Sequence, residues 1–117
     1  MQVHAITRNV KMSAQKMREV VRQIQGLPAL QAQAVLAVVP RKGARLVAKT
    51  LRSAMANAED LKEHKPEYKS LNVDALHVKE AVAQTASILR RYAAKARGSA
   101  GPILKRHCHV KIVLSDE

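Results

Sequence analysis

Apolar residues recur at helical spacing in the first half of the chain and at strand spacing near its end. After Ser13, the residues Met17, Val20, Val21 and Ile24 fall at i, i+3, i+4 and i+7, with Gly26 just beyond. A serine able to cap the first turn and a glycine able to end the last predict a helix over residues 14–25. Its other face displays Lys16, Arg18, Arg22 and Gln23. Leu27-Pro28 restarts the chain, and residues 29–39 read as a short alanine-rich helix stopping before Pro40. A third and longest helix is predicted over residues 42–59, because Ala44, Val47, Ala48, Leu51, Ala54, Met55 and Ala58 form one stripe. Arg41, Lys42, Arg45, Lys49 and Arg52 lie off that stripe and are expected to stay wet.

Residues 60–70 are polar and contain a proline, so they read as a connector and the expected seat of mobility. Leu76, Val78 and Val82 then suggest a strand. Cys108, Val110, Ile112 and Leu114 alternate strictly with His107, His109, Lys111 and Val113, the period of a sheet with one face on the helices. The intervening residues 88–104 must leave one strand and return to its neighbour. Gly98 and Gly101 sit where a turn needs permissive backbone, which predicts two extended arms and a tip near residues 97–100. Such arms hold too few apolar residues for a core of their own, and an isolated ribbon is marginal in water. At roughly 3.3 Å per residue, an arm reaches on the order of 30 Å from the body. Together these elements predict an α+β fold: three helices packed on a small antiparallel sheet, with one long protruding β-hairpin. Residues 1–117 form a single domain in this reading, and 88–104 the hairpin within it.

Charge identifies the hairpin's expected partner. Between Ala81 and Ser115 there is no acidic residue, while Arg90, Arg91, Lys95, Arg97, Lys105, Arg106 and Lys111 all fall there. A segment so one-signed repels itself and is ordered most readily against a polyanion, most commonly the phosphate backbone of nucleic acid. Over the whole chain, 21 Lys and Arg face nine Asp and Glu, for a net charge of +12. The excess is uneven: residues 1–58 carry +9, residues 59–80 carry −2, and residues 81–117 carry +5. Two basic blocks around a near-neutral connector predict two RNA-facing surfaces, one on the body and one on the hairpin.

Other chemistries find little support. The single cysteine, Cys108, excludes an internal disulfide and suits a reducing compartment. No apolar run approaches the roughly 18 residues of a membrane span, and the first eight residues lack a signal peptide's apolar stretch. The cytosol is the expected location, or an organelle matrix after loss of a presequence. His107-Cys108-His109 offers two same-face histidines with Cys108 opposite, which leaves a zinc tetrahedron incomplete, so no metal and no cofactor are expected. Neither a GxxxxGK loop nor a GxSxG elbow is present, and the carboxylates cluster in the connector, which argues against an enzyme. Tyr92 is a candidate for base stacking as much as for packing within the arm.

Several short motifs together resemble one family. Lys11-x-Ser13-x-x-Lys16-x-Arg18 opens a helix, Ala54-x-Ala-Asn-Ala58-Glu closes a later one, and Leu76-x-Val78-Lys-Glu80 forms a strand. Ala96-Arg-Gly98-x-Ala100 is followed by Ile103-Leu-Lys-Arg106-x-x-His109-x-x-Ile-Val113. In order and spacing the set resembles bacterial large-subunit ribosomal protein twenty-two over nearly the whole chain. The resemblance implies a structural constituent of the large subunit that binds 23S-type rRNA, joins assembly early, and seats near the outer end of the peptide exit tunnel. It further implies a hairpin that runs through rRNA and lines the tunnel with its tip. By position, Lys11, Lys16 and Arg18 become rRNA contacts of the body, and Arg90, Arg91, Lys95, Arg97, Lys105 and Arg106 those of the hairpin. Arg97, Gly98, Ser99 and Ala100 become the tunnel-facing tip. The implied partners are large-subunit rRNA, neighbouring large-subunit proteins and the nascent polypeptide, with no membrane. Where the family commonly has proline, this chain has Ala14, Ala94-Lys95 and Ala86-Ser87, which implies a less constrained arm. The alternative on composition alone is a basic nucleic-acid-organising protein acting outside the ribosome.

Overall fold

A computed structural model describes residues 1–117. In chain order it contains β1 (Gln2–Val10), α1 (Ala14–Ile24), α2 (Ala29–Val38), α3 (Lys42–His64), β2 (His77–Thr85), β3 (Leu89–Ala94), β4 (Ala100–Lys105) and β5 (Cys108–Ser115). Short 3-10 turns occupy Pro66–Tyr68, Val73–Ala75 and Ala96–Gly98. The expected α+β architecture is the one adopted, with antiparallel sheets of three and two strands.

Helices α1 and α3 follow their apolar spacing. The Ser13 hydroxyl accepts a hydrogen bond from the Lys16 N–H at 3.5 Å, and Ala14, Met17, Val20, Val21 and Ile24 turn inward from α1. Along α3 the buried positions are Gly43, Ala44, Val47, Thr50, Leu51, Ala54 and Ala58. Thr50 is tolerated in the core because its hydroxyl is satisfied twice, by the Leu46 carbonyl at 3.1 Å and by Thr7 Oγ1 at 2.7 Å. This last contact ties α3 to β1.

The chain departs from the pattern-based expectation in four places. β1 is not among the expected elements, although Val3 and Ala5 alternate with exposed Gln2, His4 and Ile6. It pairs with β5, which places β5 at the centre of the order β1-β5-β2. α3 runs on to His64 instead of ending at Glu59, so the first part of the connector is helical. Leu61 continues the packed stripe, and the helix stops at Lys65 because a residue before proline is driven to extended backbone. In β2 the register shifts between Val78 and Glu80, so the buried residues are Val78, Ala81 and Ala83 while Val82 is only half-buried. A bulge reverses which parity faces the core. Strict alternation also fails in β5, where Val113 and Ser115 are buried with Ile112 and Leu114. Val113 lies on the central strand opposite both His4 and Glu80, so neighbours flank it on either side.

The outer edge of β2 is covered by the chain itself. Gly26 N–H donates to the Val78 carbonyl, Val78 N–H donates to Leu27, and Ala29 N–H donates to Leu76, all within 3.0 Å. Farther along, Gln25 Nε2 donates to the Ala81 carbonyl at 2.6 Å and Arg18 Nε to the Ala83 carbonyl at 3.2 Å. Side chains of α1 thus take over where the backbone of the α1–α2 turn leaves off. An edge strand whose carbonyls are occupied this way offers no template for aggregation.

β3 and β4 form a separate two-stranded sheet and pack on no helix of the body. The molecule measures 67 × 28 × 16 Å, with a radius of gyration of 17.7 Å. A compact chain of this length has a radius of gyration of about 13 Å, so the excess records the projecting ribbon.

Candidate nucleic-acid interface

The ribbon is built by register. Leu89 pairs with Lys105, Arg90 with Leu104, Arg91 with Ile103, Tyr92 with Pro102, Ala93 with Gly101, and Ala94 with Ala100. Opposed residues share a face, so Arg91, Lys105, Leu89 and Ile103 lie on one side and Arg90, Leu104, Tyr92 and Pro102 on the other. Both faces therefore mix cations with apolar groups. Every residue of the two arms except Ala93 and Gly101 is exposed, and Tyr92 is 77% exposed. Tyr92 is thus free to stack on a partner rather than packed within the arm.

The tip is a tight five-residue turn over Lys95–Ser99, in which Lys95 N–H donates to the Ser99 carbonyl at 2.7 Å. Ser99 Oγ donates to the Ala96 carbonyl at 2.8 Å. Arg97 and Gly98 both have positive φ, 59° and 70°. Glycine takes that conformation freely, whereas Arg97 holds it at a steric cost that puts its side chain at the apex. Two sequence expectations are corrected here. Ala100 opens β4 opposite Ala94, one step below the turn. Gly101 lies within β4, and its lack of a Cβ serves contact: a Cβ there would sit 2.6 Å from Lys95 Cε. The Lys95 stem lies across Gly101, which directs that cation along the ribbon.

At the root of the hairpin, three segments far apart in sequence converge. Ser13, Gln15 and Arg18 from the start of α1, Thr85 and Ala86 from the end of β2, and Arg106 and His107 before β5 line one cavity of about 290 Å³. Arg18 and Arg106 are both exposed toward it, and His107 Nδ1 is buried without a hydrogen-bond partner. The N-terminus of α1 adds unpaired N–H groups and the positive end of its dipole, and its first turn holds no acid. Lys11 and Lys16, two and three residues from Ser13 in the chain, are exposed. Such a concavity suits a phosphate.

Arg18 has a second duty that its spacing did not disclose, since its Nε holds the β2 edge. Arg18→Lys keeps the charge but loses that donor geometry. The variant is expected to be about 1 kcal/mol less stable in urea unfolding, at the lower end for a partly exposed charged hydrogen bond. An unchanged midpoint would show that water serves the Ala83 carbonyl equally well.

Of the two histidines flanking Cys108, His109 has a structural contact. His109 Nδ1 accepts a hydrogen bond from the Asn9 N–H at 3.1 Å, which supports the β1 bulge where Asn9 has φ 55°. Cys108 is buried between them on the core face, and burial pushes its thiol pKa up, away from reactivity. No group of three or more His, Cys, Asp or Glu is placed to hold a metal ion.

Comparison with known proteins gives matches over nearly the whole chain. The family described as Ribosomal protein L22p/L17e matches residues 5–115. A protein of Opitutus terrae named large ribosomal subunit protein uL22 is 49% identical over 116 residues, which is 99% of this chain and 96% of that protein. Proteins of the same name from Akkermansia muciniphila and Methylacidiphilum infernorum are 43% and 44% identical over 117 residues, covering all of this chain and 98% and 96% of their own lengths.

Proposed function

Because the chain belongs to the ribosomal protein L22p/L17e family, a structural and non-enzymatic family of the large ribosomal subunit, we propose that it binds large-subunit rRNA through two joined surfaces and lines the exit tunnel with its tip. The observation that carries this reading is the convergence at the hairpin root. Arg18 of the body and Arg106 of the hairpin share one cavity, so the two surfaces form a single basic track from Lys11 to the apex.

Along that track, Lys11, Lys16 and Arg18 contact rRNA from the body. Arg90, Arg91, Lys105 and Arg106 do so from the ribbon, and Lys95 and Arg97 near its end. Cations on both ribbon faces suit a finger enclosed by RNA rather than one laid on its surface. The apolar groups between them, Tyr92 above all, suit base faces. Arg97, Gly98, Ser99 and Ala100 face the tunnel, where their small bulk leaves room for a nascent polypeptide. Residues 1–117 act as one domain in this reading, beside neighbouring large-subunit proteins in the cytoplasmic ribosome. Similarity over the full length to large-subunit proteins favours it over a nucleic-acid organiser acting elsewhere.

Deletion of residues 98–100 tests the tunnel role. Lysates carrying the variant are expected to show it comigrating with large subunits through a high-salt wash, because the body and the arm cations remain. Translation of arrest peptides and the response to macrolides are expected to change. If both matched the parent while a cryo-EM map showed the tip displaced, the tunnel-wall role would be lost. If the full-length chain itself washed off the subunits or sedimented with DNA, the rRNA reading would fall as well.

A further inference from the structure

We propose that the groove between α2 and the first three turns of α3 docks an unpaired RNA strand, as a surface separate from the hairpin track. The proposal rests on the reading that this chain works on rRNA. Lys42, Arg45, Lys49 and Arg52 follow one another at spacings of three, four and three residues, which aligns them in a stripe about 15 Å long on α3. With Arg41 they form one side of a groove of about 1060 Å³, whose lining contains no acidic residue. Arg41 pairs with Glu19 at 3.4 Å, and Lys42 Nζ donates to the Lys11 carbonyl at 3.1 Å. Arg45, Lys49 and Arg52 are exposed and have no ion-pair partner.

This stripe works against the helix that carries it. Like charges three and four residues apart repel one another along a helix. Cations at a helix start also oppose the positive end of the dipole, and here Arg41 and Lys42 begin a helix whose first turn has no acid and whose N-cap makes no side-chain bond. Arg41 and Lys42 find partial compensation in Glu19 and the Lys11 carbonyl, whereas Arg45, Lys49 and Arg52 find none inside the molecule, and a local rule left uncompensated at three successive cations marks a site for an external partner. A polyanion removes both penalties together.

The opposite wall selects the form of the polyanion. Val38 is 81% exposed and stands with Val39 and Pro40 at the end of α2. A cationic wall facing an apolar one fits a strand that gives phosphates to one side and base faces to the other, which a continuous duplex does not offer.

The test uses the full chain and protein-free large-subunit rRNA, titrated over a salt series. Replacing Arg45, Lys49 and Arg52 together with Gln is expected to reduce the log-log salt slope by about two, at roughly 0.7 per phosphate for a single strand. The charge-conserving set Arg45→Lys, Lys49→Arg and Arg52→Lys is expected to retain the parent slope. In the parent, rRNA is expected to protect Lys49 from acetylation by acetic anhydride, a readout that needs no variant to fold. An unchanged slope in the Gln variant, or equal acetylation of Lys49 with and without rRNA, would overturn the proposal. Protection of Lys49 in intact subunits but not by rRNA alone would overturn it in favour of an acidic segment of a neighbouring protein. The hairpin variant described below, run in parallel, separates the two levels. A smaller slope there with none here defeats the groove alone, and no change in either defeats the rRNA reading too.

Discussion

Replacing Arg90, Arg91, Lys105 and Arg106 with alanine is expected to lower the salt slope of rRNA binding by about three, at roughly 0.7–0.9 per phosphate released. The register explains why these four act together. Arg90 lies on one face of the ribbon, Arg91 and Lys105 lie on the other, and Arg106 reaches the cavity at the root. Their removal strips both faces and cuts the track where it meets the body. None is buried, and the only hydrogen bond among them is local, from Arg91 Nη1 to the Arg90 carbonyl at 2.8 Å. The circular dichroism and urea midpoint should therefore stay close to the parent's. Equilibrium binding to large-subunit rRNA between 50 and 200 mM salt checks the effect, and an unchanged slope would remove the hairpin from the RNA-binding surface.

Excising the hairpin altogether should separate binding from folding completely. In the β2–β5 ladder Gln84 pairs with His109 and Thr85 with Cys108, and Ala86 N–H donates to the His107 carbonyl at 3.1 Å. The next step of that register leaves room for a two-residue turn, so replacing residues 87–106 with Asn-Gly continues the ladder without distortion. Every buried residue lies outside the excised segment. The shortened chain is expected to melt cooperatively, with helical signal intact and stability within about 1 kcal/mol of the parent. Its rRNA affinity is expected to fall further than that of the four-alanine variant, because Lys95, Arg97 and Tyr92 leave as well. Loss of the cooperative transition would show the ribbon to be part of the core.

These expectations begin in features legible along the chain. Helices α1 and α3 were readable because each buries one stripe against the sheet, and a stripe is a local periodic signal, whereas α2, which packs mainly on α3, was readable from its alanines and the prolines that bound it. The hairpin was readable for the opposite reason. Residues 88–104 have no apolar periodicity and no acids, so they declare a segment stabilised from outside. Family motifs at Lys11–Arg18 and Ala96–Ala100 then identify the class of partner, since charge by itself is indifferent to which polyanion it meets.

Other features were settled only when distant residues met. β1 carries a weak alternation whose meaning depends on β5, about a hundred residues later, offering it an edge. The bulge at Lys79 reverses the inward parity of β2, and no local pattern announces where a partner strand will force such a shift. Val113 reads as an outward position in alternation, yet a central strand is flanked on both sides. The double duty of Arg18 and its meeting with Arg106 likewise exist only in three dimensions, as does the groove in which Arg45, Lys49 and Arg52 face Val38. Sequence by itself determined the helices, the sign of the charge and the existence of a finger, because periodicity and composition are properties of neighbours in the chain. Register, face and the grouping of cations into cavities were decided by the tertiary structure, because each depends on which strand or helix lies alongside.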